Sequence, residues 1–152
     1  MNTRIDFYHL QTKKLPEILP VLVEKAYSTK QRIKILISND DLLHKINELL
    51  WVYNQTSFLP HGTNKDSFAD AQPIYLSTSD ENPNKAEIIF LVGSAKLEVS
   101  SLNDYKRIIN IFDGNSDSEL KFAREYWKEL KETGAELKYW QQENSGKWVE
   151  KG

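Results

Sequence analysis

Apolar positions follow two alternating periods along the chain. Ile5-Asp6-Phe7-Tyr8 is a short β-favouring run. Leu15, Ile18, Leu19, Leu22, Val23 and Ala26 then fall at helical spacing up to Tyr27. Pro16 suits a first turn, whereas Pro20, four residues deeper, predicts a late start or a kink. Ile33 to Ile37 reads as a buried strand and stops at Ser38-Asn39-Asp40-Asp41, which supplies N-cap chemistry and negative charge at a helix start. Leu42, Ile46, Leu49, Leu50 and Tyr53 continue that helix. Asn54 to Gln72 is polar and irregular apart from Phe58-Leu59-Pro60. Short strands are expected at Pro73 to Leu76, Glu87 to Val92 and Tyr105 to Phe112. Ser116 and Glu119 form the spacing of a capping box, and Gly134 stands where a C-cap glycine belongs, so a helix is predicted from about 117 to 133. Ala135 to Gln141 predicts an edge strand.

This alternation predicts an α/β fold with a largely parallel central sheet flanked by helices. The 152 residues suit one domain, read here as residues 1–142 with a polar tail, 143–152, that carries Trp148. Twenty Lys and Arg against 22 Asp and Glu leave a net charge of −2, without the overall basic field of a dedicated nucleic-acid binder. Cysteine is absent, which excludes disulfides, thiolate metal sites and a cysteine nucleophile. No long apolar run follows Arg4, so no secretory signal is expected. Ile88 to Ala95 falls far short of the ~20 residues that span a bilayer. A cytoplasmic location and no membrane contact are therefore expected.

Parallel sheets often bind nucleotides, but neither G-x-G-x-x-G nor G-x-x-x-x-G-K-[ST] occurs. Ser38 to Asp41 puts carboxylates where a phosphate needs bare amides, and Gly93-Ser94 is a weak anion signal that a plain turn explains. His9, His44 and His61 lack metal-ligand spacing, and there is no G-x-S-x-G elbow. No cofactor, metal or catalytic residue is expected.

Two groups of residues carry candidate binding chemistry. On a helical wheel starting at Glu119, Lys121, Arg124, Lys128 and Lys131 fall at about 200°, 140°, 180° and 120°, with Leu120 and Trp127 on one border. A solvated face with intrahelical ion pairs is one reading. The other is a site for an acidic peptide with an apolar anchor, since Arg and Lys grip carboxylates and an apolar cleft takes a side chain. The second group is Trp51 with Phe58, Pro60 and His61. It reads either as core at the end of the second helix or as an exposed patch for a partner protein.

In order and spacing, three segments resemble the chi subunit family of bacterial DNA polymerase III. They are Thr3 to Tyr8, Leu50-Trp51 followed by Ser57-Phe58-Leu59-Pro60-His61, and Ala123-Arg124-Glu125-Tyr126-Trp127-Lys128 with the later Gly134. The resemblance implies a Rossmann-like fold, no enzymatic activity and membership of the clamp-loader assembly. It implies that the chain holds the acidic, phenylalanine-ending tail of the single-stranded DNA-binding protein. Arg124, Trp127 and Lys128 match that contact, with Lys121 and Lys131 on the same face; the family's aromatic at Trp127 is usually smaller. It also implies that Trp51 and Phe58, with Pro60 and His61 beside them, face the psi subunit or clamp loader. DNA is then met only indirectly or weakly. The competing readings are a small nucleotide- or phosphate-binding enzyme using Ser38 to Asp41 and Gly93-Ser94, and a direct DNA-binding module.

Overall fold

The computed structural model describes residues 3–53, 59–66 and 68–151. Eight strands are joined in one sheet: β1 (Arg4–Leu10), β2 (Ile33–Ile37), β3 (His61–Thr63), β4 (Ile74–Ser77), β5 (Ile88–Val92), β6 (Arg107–Asp113), β7 (Glu136–Gln142) and β8 (Trp148–Glu150). Their order is β3-β4-β2-β5-β6-β1-β7-β8. Every pairing is parallel except β7 with β8, so the expected α/β class with a largely parallel sheet is what forms. The ten residues read from the sequence as a tail thus include an edge strand, and Trp148 packs against the core. β3 has no counterpart among the expected strands: His-Gly-Thr is too short to show alternation.

Among the described residues three α-helices flank the sheet: α1 (Leu15–Tyr27), α2 (Asp40–Val52) and α3 (Asp117–Lys131). α1 starts at Leu15, with Pro16 in the first turn and the Lys14 amide donating to Glu17 Oε2 at 2.8 Å. It runs through Pro20, which is buried, rather than starting after it. Asn39 caps α2 by accepting from the Leu42 amide at 2.9 Å. Ser116 Oγ likewise accepts from the Glu119 amide at 3.3 Å. Glu119 does not close the reciprocal half of the box; its carboxylate accepts from the Asp113 amide at 3.4 Å and ties the helix to the end of β6. Gly134 follows α3 at φ +78°, the left-handed conformation that glycine adopts without steric cost.

Alternation along the strands builds two cores. α1 and α2 cover one face through Leu19, Val23, Leu43 and Ile46, against Ile35, Phe90 and Ile109. α3 covers part of the other through Ala123, Tyr126 and Leu130, against Ile5, Phe7 and Ile108. Where α3 does not reach, the connection from β4 to β5 crosses β2 without a helix. Lys34, fully buried on β2, pins that connection by donating from Nζ to Ser77 Oγ, to the Ser79 carbonyl at 2.9 Å and to the Glu81 carbonyl at 2.8 Å.

Burial pulls the Lys34 ammonium from 10.5 down to about 8, opposed by Glu81 and Asp80. Between pH 8 and 10.5 the unfolded chain therefore holds a proton that the folded chain has released, and this group makes stability rise with pH across that window. Lys34→Met removes this gain. In urea titrations, the stability of the wild type relative to the variant should increase from pH 8 to 10.5. A difference that is flat with pH would mean that Lys34 titrates as an exposed lysine does.

Candidate functional site

The rotation of α3 follows from Tyr126. Its ring is buried against Phe7 at 6.1 Å, and its hydroxyl accepts from the Leu97 amide at 3.1 Å and donates to the Leu97 carbonyl at 3.3 Å. With that face turned inward, Lys121, Arg124, Lys128 and Lys131 are all exposed. Among the described residues none of the four makes an ion pair, although glutamates lie within helical reach of them. Glu129 instead pairs with Lys96, at 2.6 Å. The face is thus solvent-exposed, and among the described residues the expected intrahelical ion pairs are not made.

Trp127 is half-buried, edge-on to Phe7 at 5.2 Å and to Tyr139 at 5.6 Å. It belongs to an aromatic layer under the helix that continues through Tyr139 and Phe112 to His9. His9 Nδ1 lies 2.6 Å from the Tyr139 hydroxyl. Burial lowers the His9 pKa, the Arg124 charge lowers it further and Asp113 opposes them. Burial raises the Tyr139 pKa against the pull of the same guanidinium. The Arg124 charge is thus felt by the hydrogen-bonded His9–Tyr139 pair, with Trp127 in the same aromatic layer. Sequence reasoning passed over His9 and Tyr139; strand alternation, which puts Phe7 and His9 on one face of β1, was the signal that could have found them.

The Trp51 group is arranged differently. Trp51 is 51% exposed near the end of α2, while His61 is 5% exposed; their rings are 4.4 Å apart. His61 Nδ1 lies 2.7 Å from the Leu59 carbonyl and Nε2 3.2 Å from the Asn47 carbonyl, so the ring ties the β3 entry to α2. Pro60 is half-buried. Phe58 lies outside the described residues. Phe68, in the connection to β4, is another exposed aromatic and is held at φ +62°, a backbone that bulky side chains rarely adopt.

The anion-binding turns are occupied from within. Asn39 fills the α2 cap. A Cβ on Gly93 would stand 2.8 Å from Ser38 Oγ, so that turn is packed against the α2 start. A cleft of about 430 Å³ at the carboxyl ends of β1, β5 and β6 is lined mainly by Leu10, Leu15, Ile46 and Ile111, with Lys14 and Glu119 at its sides. Among the described residues no cluster of three or more His, Asp or Glu could hold a metal, and no helix is long and apolar enough to cross a membrane.

Gly114 lets His9 lie where it does. A Cβ there would overlap the His9 ring and stand 2.7 Å from the Leu10 carbonyl oxygen. Gly114→Ala should cost about 1–3 kcal/mol, the usual range for overpacking. His9→Ala in the same chain should recover part of that loss. Urea midpoints of the single and double variants measure both effects; an unchanged midpoint for Gly114→Ala would show that the turn yields freely.

The family model for the DNA polymerase III chi subunit, HolC, matches residues 1–138, a span that includes α3 and the Trp51 group. A curated relative from Rickettsia prowazekii (strain Madrid E), "Probable DNA polymerase III subunit chi", is 28% identical over 115 residues, covering 72% of this chain and 70% of the relative. The chain belongs to the DNA polymerase III chi subunit family, accessory subunits of a replicative polymerase.

Proposed function

We propose that this chain, on a Rossmann-like scaffold, is a non-catalytic link between the polymerase III clamp loader and the single-stranded DNA-binding protein. α3 holds the acidic, phenylalanine-ending tail of that protein. The observation carrying this reading is the row of four exposed cations, without ion pairs among the described residues, beside the half-buried Trp127. Arg124 and Lys128 are one turn apart and can address a single carboxylate-bearing tail. Arg124 supplies a bidentate fork and Lys128 a point charge. Leu120 and Trp127, both partly buried against the core, offer apolar surface to the terminal Phe ring.

Charge-assisted hydrogen bonds contribute about 1.5–3 kcal/mol each. Arg124→Ala should therefore weaken a tail peptide roughly ten- to a hundred-fold in calorimetric titration. Arg124→Lys should restore only part, because the fork is gone. Added salt should weaken binding, and stability should change by no more than about 0.5 kcal/mol. Equal affinities for wild type and Arg124→Ala would move the tail off α3.

Trp51, Phe58 and Pro60 are the proposed contact for a psi-like or clamp-loader subunit, with buried His61 bracing the exposed Trp51 ring from beneath rather than meeting the partner itself. Phe58→Ala should lose capture of that subunit and keep its thermal midpoint. A variant that unfolds, with the loss of about 3–5 kcal/mol typical of core Phe truncation, would make Phe58 a core residue instead.

A further inference from the structure

The sheet face opposite α3 carries a second aromatic site. Even-numbered residues of β1 point there, and β7 continues the row, with Tyr8 beside Trp140 in parallel register. The Tyr8 and Trp140 rings stack at 6.3 Å and 19°, and Trp148 of β8 meets Tyr8 edge-on at 5.0 Å. Together with α1 they line a cleft of about 300 Å³, near the lower end of the range for small-ligand sites. Its charged lining residues are Lys25 and Arg107, both cationic.

The cleft is braced from beneath. Asp6 is fully buried; it accepts from Trp140 Nε1 at 3.1 Å, from Arg107 Nε at 3.0 Å and from Arg4 Nη2 at 3.1 Å. One carboxylate thus orients an indole and two guanidiniums, leaving excess positive charge. Lys138, in register with Asp6, adds a cation beside the cleft, and Glu150, opposite Trp140, adds a carboxylate at the outer edge.

We propose that this cleft takes a nucleotide of single-stranded DNA, the base stacked on the Trp148 ring with the Tyr8 and Trp140 rings against its edge, and its phosphate held by Lys25 and Arg107. Rings preorganised in a cleft reach unpaired bases, whose faces are free, and not those of a duplex. Two cations beside three rings suit a base with its phosphate better than a run of carboxylates. Single-stranded DNA is also what a replicase accessory subunit works beside. The proposal is independent of the tail-binding reading, which uses the other face of the sheet.

Fluorescence polarisation of a labelled 15-nucleotide oligo(dT), with the full chain and no other protein, at low salt, tests it. Binding is expected, and Trp148→Ala should weaken it about five- to a hundred-fold, the usual effect of losing one stacked base. Lys25→Glu, an exposed change that leaves the hairpin alone, should also weaken it. The salt dependence should be shallow, with one or two phosphates neutralised at about 0.7 in log–log slope each. Arg124→Ala should change nothing. Absent binding, binding indifferent to both Trp148→Ala and Lys25→Glu, or binding lost with Arg124→Ala would each overturn the proposal. An acidic Phe-ending peptide that displaces the oligonucleotide from wild type and binds more weakly to Lys25→Glu would give the cleft to a peptide instead.

Discussion

Strand β1 is the constraint on which the rest of the molecule depends. It pairs with β6 on one edge and β7 on the other, and its side chains feed both faces of the sheet. Ile5, Phe7 and His9 point toward α3; Asp6, Tyr8 and Leu10 point away. A one-residue slip would exchange these sets, burying Tyr8 under α3 and turning Phe7 into the aromatic cleft. The register of β1 therefore sets both the platform beneath Arg124 and the opposite face around Asp6. A strand paired on both edges suits this role, because its backbone groups are satisfied by neighbours on each side.

Much of the architecture was legible in the sequence because periodicity survives wherever an element is long. The Ile33–Ile37 run, apolar except for Lys34, and the Ile88–Val92 run, apolar at every position, read as parallel strands buried on both faces, and that is their environment. α3 was legible from its cap and wheel, down to the exposure of its four cations. Three things were not. β3 is three residues long and takes its place by pairing with β4, a tertiary effect with no local signature. β8 is hidden in a polar segment whose apolar content is one Trp and one Val; it forms because β7 offers an edge. Pro20 was expected to delay or kink α1, yet the helix starts before it, with the ring buried in the core. Burial of the ring offsets the missing hydrogen bond to the Pro16 carbonyl.

The candidate binding residues show the same division. Spacing on one helix grouped Lys121, Arg124, Lys128 and Lys131 beside Trp127, because a wheel needs no long-range information. It could not reveal that Trp127 continues into Tyr139 and His9, since those three positions come from α3, β7 and β1 and meet only through the sheet. Nor could it show that, among the described residues, the cations make no ion pair while Glu129 turns to Lys96. The Trp51 group was left between core and patch, and the structure divides it: His61 is buried mortar, and Trp51 is the exposed face resting on it.

On the proposed reading of α3, binding and stability are separated in a way the geometry explains. Exposed cations in high dielectric contribute little to folding, so they are free to serve a ligand. Beneath them the coupling tightens. Arg124 lowers the His9 pKa, His9 is bonded to Tyr139, and Gly114 leaves room for the His9 ring but not for a Cβ. A ligand carboxylate drawn to Arg124 would offset part of the positive field at His9 and make that imidazole easier to protonate. The outer layer of the site can thus change without disturbing the fold, while a change in the layer beneath disturbs both.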